Sequence, residues 1–434
     1  MDELTIHGLP RIPSQKRWFG KLFWALMFTT CCGVLVLMLW MSLLKFWKYP
    51  YTTTVEYKRH STLPFPSVTI CDSDRSIYEP FKKEKFPTTC STNDFANKSE
   101  RFKHGCTLFL SGFREGCIFD SGHACSFPSH YIAAPHWNFC YTFNKNGSFQ
   151  QTVEDKQYGF EVMMLKNESG LRSQDGPSMP PLRHSQLKRG LVLFVHSPLY
   201  AIGFNSVDII HLSPGYYTEV AVKKVVRKRL KAPYSSTCSS KSDVRTIFEG
   251  NYTVIGCLAS CFTMNMYEKC GDVLPPGRVF LPKQQFPKIP KTANLDKCLF
   301  EIYQTSGQLD CECPLPCYEE EFVTEVQQTP LRITSTTPRM NKNLARALNL
   351  SEEEISLEFY KKNIVRLNLF YKNFMVETIR EQPLYDVESL LGDFGGLMGL
   401  LIGASTISLI EILWVLAASI SNLIRKKTRV MDNS

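Results

Sequence analysis

The hydrophobic pattern of this 434-residue chain is interrupted by two runs too long and too apolar for an ordinary soluble core. Leu22 to Leu44 contains no charged residue, and Phe394 to Ile424 contains only Glu411. As helices, both are long enough to cross about 30 Å of hydrocarbon, which predicts membrane spans at 21–44 and 394–424. The first exceeds the roughly 7 to 15 apolar residues of a secretory signal, and no small-residue cleavage site follows it, so it reads as an anchor.

Between the runs the pattern changes character. Thr52 to Ile70 is rich in Thr, Val and Tyr and is punctuated by Pro64 and Pro66, which predicts edge strands. Turn-rich, cysteine-rich sequence follows to about Cys140. Gly190 to Leu230, including Leu191-Val-Leu-Phe-Val-His196, reads as extended, and the block from Cys238 to Cys317 is dense in cysteine and proline. Ser351 and Glu354 have capping-box spacing, with Glu352 and Glu353 adding negative charge to the first turn of a helix that fades near Asn363. Ile364 to Phe370 then alternates as a strand. Without an internal repeat or heptad seam, this middle segment reads as one mixed α+β domain with a β core.

Composition and charge set the topology. A mean hydropathy of −0.15 excludes a many-span transporter, because most of the chain must face water. Arg11, Lys16, Arg17 and Lys21 precede the first run, and Arg425, Lys426, Lys427 and Arg429 follow the second. By the positive-inside rule both tails, 1–20 and 425–434, are cytoplasmic and 45–393 is extracellular. That segment holds 14 of the 16 cysteines and all five Asn-x-Ser/Thr sequons, at Asn97, Asn146, Asn167, Asn251 and Asn349, as expected of a secreted, oxidising side. Cys31 and Cys32 lie in the first span and read as packing residues. Of the net charge of +9, the extracellular segment carries +5, from 42 basic and 37 acidic residues, and nothing in it resembles a nucleic-acid face.

The second run carries the most chemistry. Gly392, Gly395 or the adjacent Gly396, Gly399 and Gly403 recur three or four residues apart along one helical face. Such a stripe serves close span-to-span packing or the lining of a narrow path. Asp393 stands at the outer mouth and Glu411 well inside; an unbroken helix between them would place both carboxylates on one side. A path lined by small groups and carboxylates favours cations, whereas a Glu411 held neutral would serve as an interhelical hydrogen bond. There is no G-x-S-x-G, no H-E-x-x-H and no phosphate-cradling loop, so no enzyme constellation competes and no cofactor or metal is expected. Cys311-Glu-Cys-Pro-Leu-Pro-Cys317 would suggest zinc in the cytosol, but disulfides outside the cell.

Leu390-Leu-Gly-Asp-Phe-Gly-Gly-Leu-Met-Gly-Leu-Leu-Ile-Gly-Ala-Ser405, with Glu411 six residues on, resembles the pore segment of the degenerin and epithelial sodium channel superfamily, which includes acid-sensing and peptide-gated channels. His7-Gly8, Phe65-Pro-Ser-Val-Thr-Ile-Cys71, Lys228-Arg-Leu-Lys-Ala-Pro-Tyr234 with Cys238, and Glu377-Thr-Ile support the resemblance across nearly the whole chain. It implies a trimer, homomeric or mixed with same-family subunits, in the plasma membrane. Each subunit would have two transmembrane helices and a disulfide-rich α+β ectodomain of palm, β-ball, finger, thumb and knuckle. It further implies a sodium-permeable pore blocked by amiloride, with Gly403, Ala404 and Ser405 as an extended selectivity belt that would interrupt the second helix. His7, Gly8 and Glu411 would line the inner pore, Gly392 and Asp393 the outer gate, and Tyr49 with Tyr234 would form the wrist contact. Trp414 stands where acid-sensing relatives carry a second acid.

The resemblance also implies the bridges Cys71–Cys140, Cys117–Cys125, Cys238–Cys317, Cys257–Cys313, Cys261–Cys311 and Cys270–Cys298. A further thumb bridge of the family lacks both partners here, Asp272 standing at one end, and Cys90 with Cys106 would form an extra bridge in the finger. Proton gating is weakened: Phe300 and Gln304 replace the thumb carboxylates, Pro50 and Tyr51 replace a His pair, and His60 remains as a lone titratable or merely solvated residue. An extracellular ligand, a neuropeptide of the invertebrate peptide-gated branch, is the expected stimulus, with proton gating or constitutive opening as alternatives. Phe102, Phe109, Phe113 and Trp137 would line a ligand site or pack in the core. Two rivals of other classes remain: an ATP-gated purinergic receptor, whose nucleotide site and cysteine pattern find no counterpart here, and a two-span receptor without a pore, of the scavenger type, which would not need a polar second span.

Overall fold

The computed structural model describes residues 11–72, 107–109, 117–120, 123–124, 131–134, 137–166, 190–200, 209–271 except 241, 245, 248 and 249, then 298, 302, 311–332, 341–342, 344–345, 350–403, 405, 410 and 414. The chain divides into two compact units, one of 54–231 with 236–380, the other of 1–53, 232–235 and 381–434.

The first unit is β-rich. Its strands in chain order are β1 (Tyr51–Arg59), β2 (Leu63–Pro64), β3 (Ser67–Asp72), β4 (Thr107–Phe109), β5 (Cys117–Phe119), β6 (His123–Ala124), β7 (Tyr131–Ala134) and β8 (Trp137–Phe143). There follow β9 (Gln150–Gln151), β10 (Phe160–Lys166), β11 (Leu191–His196), β12 (Ile210–Leu212), β13 (Tyr216–Lys228), β14 (Tyr318–Pro330), β15 (Ile364–Tyr371) and β16 (Met375–Pro383). A nine-stranded sheet runs β1-β16-β13-β15-β10-β5-β6, with β14 on β13 and β4 on β10, and a five-stranded sheet runs β12-β11-β3-β8-β7.

β13 is the axis of the large sheet. It pairs antiparallel with β14 along its whole length, while β15 and then β16 run parallel along its other side. Between these two, the backbone of Lys372 still donates to Val222 O, so the strand bends without leaving its neighbour. On β13, Thr218, Val220 and Val222 are buried and alternate with more exposed residues, the period-two pattern of a sheet with one face on the core. One cluster of packed side chains, including Phe65, Phe143, Phe160, Leu193, Val222 and Leu367, draws on both sheets. Phe143 and Phe160 stack at 4.2 Å between centroids, and Phe65 meets Phe119 edge-on at 4.9 Å.

Two expectations need correction. β3 is a central strand, between β11 and β8, and not an edge; Pro64 and Pro66 lie outside it and leave its ladder intact. β1 does lie at the sheet edge, exposed at every position. The helix expected over 351–363 is two pieces: a 3-10 turn at Glu352–Glu354 with the expected capping box, then a helix at Leu357–Asn363 with its own N-cap, Ser356. The break falls at Ile355, 2% exposed, which packs with Tyr360, Leu344 and Met163 in a second core cluster. Burying both Ile355 and Tyr360 takes precedence over continuing the helix.

Five bridges are present among the described residues: Cys71–Cys140, Cys238–Cys317, Cys257–Cys313, Cys261–Cys311 and Cys270–Cys298. Cys71 and Cys140 are directly opposed on β3 and β8 and pack with Val192 and Phe194. Cys257, Cys261 and Cys270 lie on one helix, Val254–Cys270, capped by Thr253 at its start and by left-handed Gly271 at its end. Cys117–Cys125 and Cys90–Cys106 lie outside the described residues. The sequon asparagines Asn146 and Asn251 are exposed, and Asn97, Asn167 and Asn349 lie outside the described residues.

The second unit contains the apolar helix α1 (Trp18–Trp47) and a later helix α2 (Val387–Ile402). At about 1.5 Å per residue, α1 spans roughly 45 Å, and many of its apolar side chains, among them Leu22, Leu26, Leu37 and Trp40, are exposed. It is long and apolar enough to cross a membrane by length and composition. Its Cys31 and Cys32 are free thiols.

Candidate ion pathway and its supports

Helix α2 starts where Asp386 caps it, the carboxylate accepting from the backbone N–H of Ser389 at 2.8 Å. A Cβ added at Gly392, Gly395, Gly396 or Gly399 would meet nothing within 4 Å. Among the described residues, therefore, nothing packs closely against these four glycines.

The helix does not continue unbroken to Glu411. It ends at Ile402, and Gly403 adopts a left-handed conformation with φ 64° and ψ 24°, its N–H returning to Gly399 O at 3.1 Å. Only glycine takes that conformation without a Cβ penalty. The break falls at the first residue of the Gly403-Ala404-Ser405 triplet, and Ser405 beyond it is exposed. With the helix ended at Ile402, Asp393 and Glu411 do not share one continuous helix. Ala404, Glu411, His7 and Gly8 lie outside the described residues.

Asp393 is placed in detail. Its Oδ2 accepts from the Tyr385 hydroxyl at 2.5 Å and from the Ser42 hydroxyl of α1 at 3.4 Å. Tyr49 and Tyr234 meet edge-on with ring centroids 5.6 Å apart. Tyr49 has φ 45°, a left-handed conformation disfavoured for an aromatic residue, held by its N–H to Phe46 O and by Leu384 N to Pro50 O. His60 is exposed beside β1. Phe109 and Trp137 are placed by backbone only, on β4 and β8, and Phe102, Phe113, Asp272, Phe300 and Gln304 lie outside the described residues.

Two buried ionisable groups lie outside the site residues that the sequence suggests. His196, 3% exposed at the end of β11, has its Nδ1 on Ser197 O at 3.0 Å and its Nε2 on Thr69 Oγ1 at 2.8 Å. A carbonyl only accepts, so the network assigns the proton to Nδ1 and makes Nε2 the acceptor from Thr69. Thr69 in turn faces Thr142 at 2.9 Å. Burial holds the imidazole pKa down to about 4 despite the carbonyl contact. Glu320 on β14 receives Tyr318 OH at 2.7 Å, Ser197 Oγ at 2.8 Å and Lys224 Nζ at 3.0 Å. Burial would raise its pKa, but the Tyr318 hydroxyl and the Lys224 charge outweigh that and hold it below the usual value. The run Glu319-Glu-Glu321 opposite the basic half of β13 could have signalled such pairs; Arg227 does meet Glu321 and Arg229 meets Glu319.

The family model of the amiloride-sensitive sodium channels matches residues 1–107 and 76–415. Acid-sensing ion channel 4-B of Danio rerio is 24% identical over 94% of this chain and 73% of its own length. The bile acid-sensitive ion channel of Homo sapiens is 23% identical over 94% and 83%, and the epithelial sodium channel subunit gamma of Pan troglodytes is 24% identical over 97% and 79%. A solved proton-activated chloride channel aligns with TM-score 0.31 at 8% identity, covering 90% of this chain and 97% of that one, too weak a likeness to carry an argument. These matches define a membrane ion channel and not an enzyme. The chain belongs to the amiloride-sensitive sodium channel family, within the superfamily of epithelial, acid-sensing and bile acid-sensitive channels.

Proposed function

We propose that this chain is the pore-forming subunit of a trimeric, amiloride-sensitive, sodium-permeable channel of the plasma membrane, opened by an extracellular ligand. Two transmembrane helices, with both termini cytoplasmic, flank the ectodomain at 45–393. Gly403, Ala404 and Ser405 form the selectivity belt, His7, Gly8 and Glu411 the inner pore, Gly392 and Asp393 the outer gate, and Tyr49 with Tyr234 the wrist. The observation that carries this reading is the helix break at Gly403. A left-handed residue there ends the backbone ladder inside the apolar run, and interrupted backbone at membrane depth is tolerated where it lines a water-filled path.

A neuropeptide is the proposed ligand class. Among the described residues, each carboxylate with a displaced pKa is displaced downward, Glu320, Asp243, Glu358 and Asp386, and His196 is held at about 4. None of these groups changes charge in mild acid. Proton gating is the second reading, favoured by the acid-sensing relative. The test is whole-cell current from this chain expressed alone, under RFamide-type peptides, acid steps, bile acids and amiloride in turn. A peptide-evoked, amiloride-sensitive sodium current supports the proposal; a response to acid or bile acid alone overturns the peptide reading.

A further inference from the structure

The outer end of α2 holds a polar cluster whose members differ sharply in exposure. Asp393 is exposed, whereas Tyr385, just ahead of the N-cap Asp386, is 5% exposed and directs its hydroxyl onto Asp393 Oδ2. Ser42 of α1 donates to the same oxygen. Lys45, one turn further along α1, places its ammonium 4.4 Å over the Tyr385 ring. A cation over a phenol ring draws electron density from it and makes the O–H a better donor.

We propose that Tyr385, supported by Ser42 and Lys45, is a positioning residue that withholds one oxygen of Asp393 from cations at the outer mouth. A carboxylate oxygen has two lone-pair directions, and here two hydroxyls donate to the same oxygen, Oδ2. A divalent cation can then approach only the other oxygen and cannot be held by both, and the fixed rotamer keeps the charge against α1. The latch lets Asp393 attract permeant ions without retaining a divalent one. This inference rests on the proposed place of Asp393 at the outer gate.

Block of sodium current by external calcium, recorded from full-length channels in planar bilayers, tests it. Tyr385→Phe keeps the ring under Lys45 and removes only the hydroxyl. It is expected to tighten calcium block by roughly twofold to tenfold, the span of one net hydrogen bond. Asp393→Asn is expected to weaken block, and Tyr385→Phe added to Asp393→Asn is expected to change nothing further. If Asp393→Asn leaves block and conductance unaltered, the outer-gate reading falls and this inference with it. If Asp393→Asn weakens block but Tyr385→Phe leaves it unchanged, or acts equally in both backgrounds, the positioning role alone is overturned. Thermal unfolding of the four purified proteins gives a second readout: coupling between the two substitutions supports the contact, and strict additivity refutes it.

Discussion

His196 gives a quantitative prediction about acid stability. Its folded pKa, about 4, lies below the ordinary imidazole value of 6.5, so the unfolded chain binds the proton first as pH falls. The neutral ring's contribution is intact above the unfolded pKa and is lost between 6.5 and 4, after which both states are protonated and the loss stops growing. At about 1.4 kcal/mol per unit, the complete loss is on the order of 3 kcal/mol. The ring is 3% exposed, so solvent screening requires little discount. Protonating Nε2 would turn it into a donor facing Thr69 and force the Thr142–Thr69 hydrogen bond to reorient, since the chain of donors runs toward the ring.

The perturbation is His196→Gln, which can still accept from Thr69 and has no proton to gain. Thermal unfolding of the detergent-purified full-length protein is followed at pH 7 and 4.5. The wild type is expected to lose roughly 5 °C more between the two pH values than the variant does, given about 2 °C per kcal/mol for a domain of this size. The variant is also expected to be less stable than wild type at pH 7, where the native ring packs best. Equal pH slopes for the two proteins would refute the argument, because every other titrating group is shared between them.

Three further outcomes follow from the geometry. Lys224→Met removes the ammonium that meets Glu320 in a site where both side chains are under 15% exposed; the expected loss is roughly 3 kcal/mol, read as lower thermal stability, and a change under about 0.5 kcal/mol would count against a buried pair. Gly403→Ala puts a Cβ on a residue at φ 64°, costing about 1 kcal/mol locally, and should shift the bi-ionic sodium–potassium reversal potential; unchanged selectivity would separate the helix break from the filter. Tyr49→Ala removes the edge-on contact to Tyr234, worth about 1 kcal/mol, and should alter opening and closing rates while leaving unitary conductance alone. The reverse pattern would place Tyr49 in conduction and not in the wrist.

How much of this was legible in the sequence depended on whether the signal was local. The capping box at Ser351 and the strand after Asn363 are set by neighbours in sequence, and both are present. The split at Ile355 depends on Leu344 and Met163, distant residues that decide which side chains are buried, so periodicity alone missed it. Pro64 and Pro66 marked an edge correctly for β2, but β3 begins just after them and is central. The apolar face of β11 was visible as Leu191 to Val195; that its last residue is a histidine sealed against Thr69 required knowing that β3 is its neighbour.

Helix α2 shows why motif and periodicity must be weighed together. Periodicity alone favours one long helix from Val387 through Glu411, because Leu, Ile and Ala are all good helix formers and the glycines cost only about 1 kcal/mol each. The resemblance named Gly403-Ala404-Ser405 as an interruption, against that propensity, and the chain stops its helix at Gly403. In hydrocarbon the broken hydrogen bonds of such a stop are expensive unless water or protein meets them. The same consideration bears on Asp393, whose charge is matched locally by two hydroxyls and lies in a cluster that includes the Lys45 ammonium. A left-handed stop inside the apolar run and a carboxylate just ahead of it are not needed by a helix that serves only as an anchor, and both are features that the proposed pore would use.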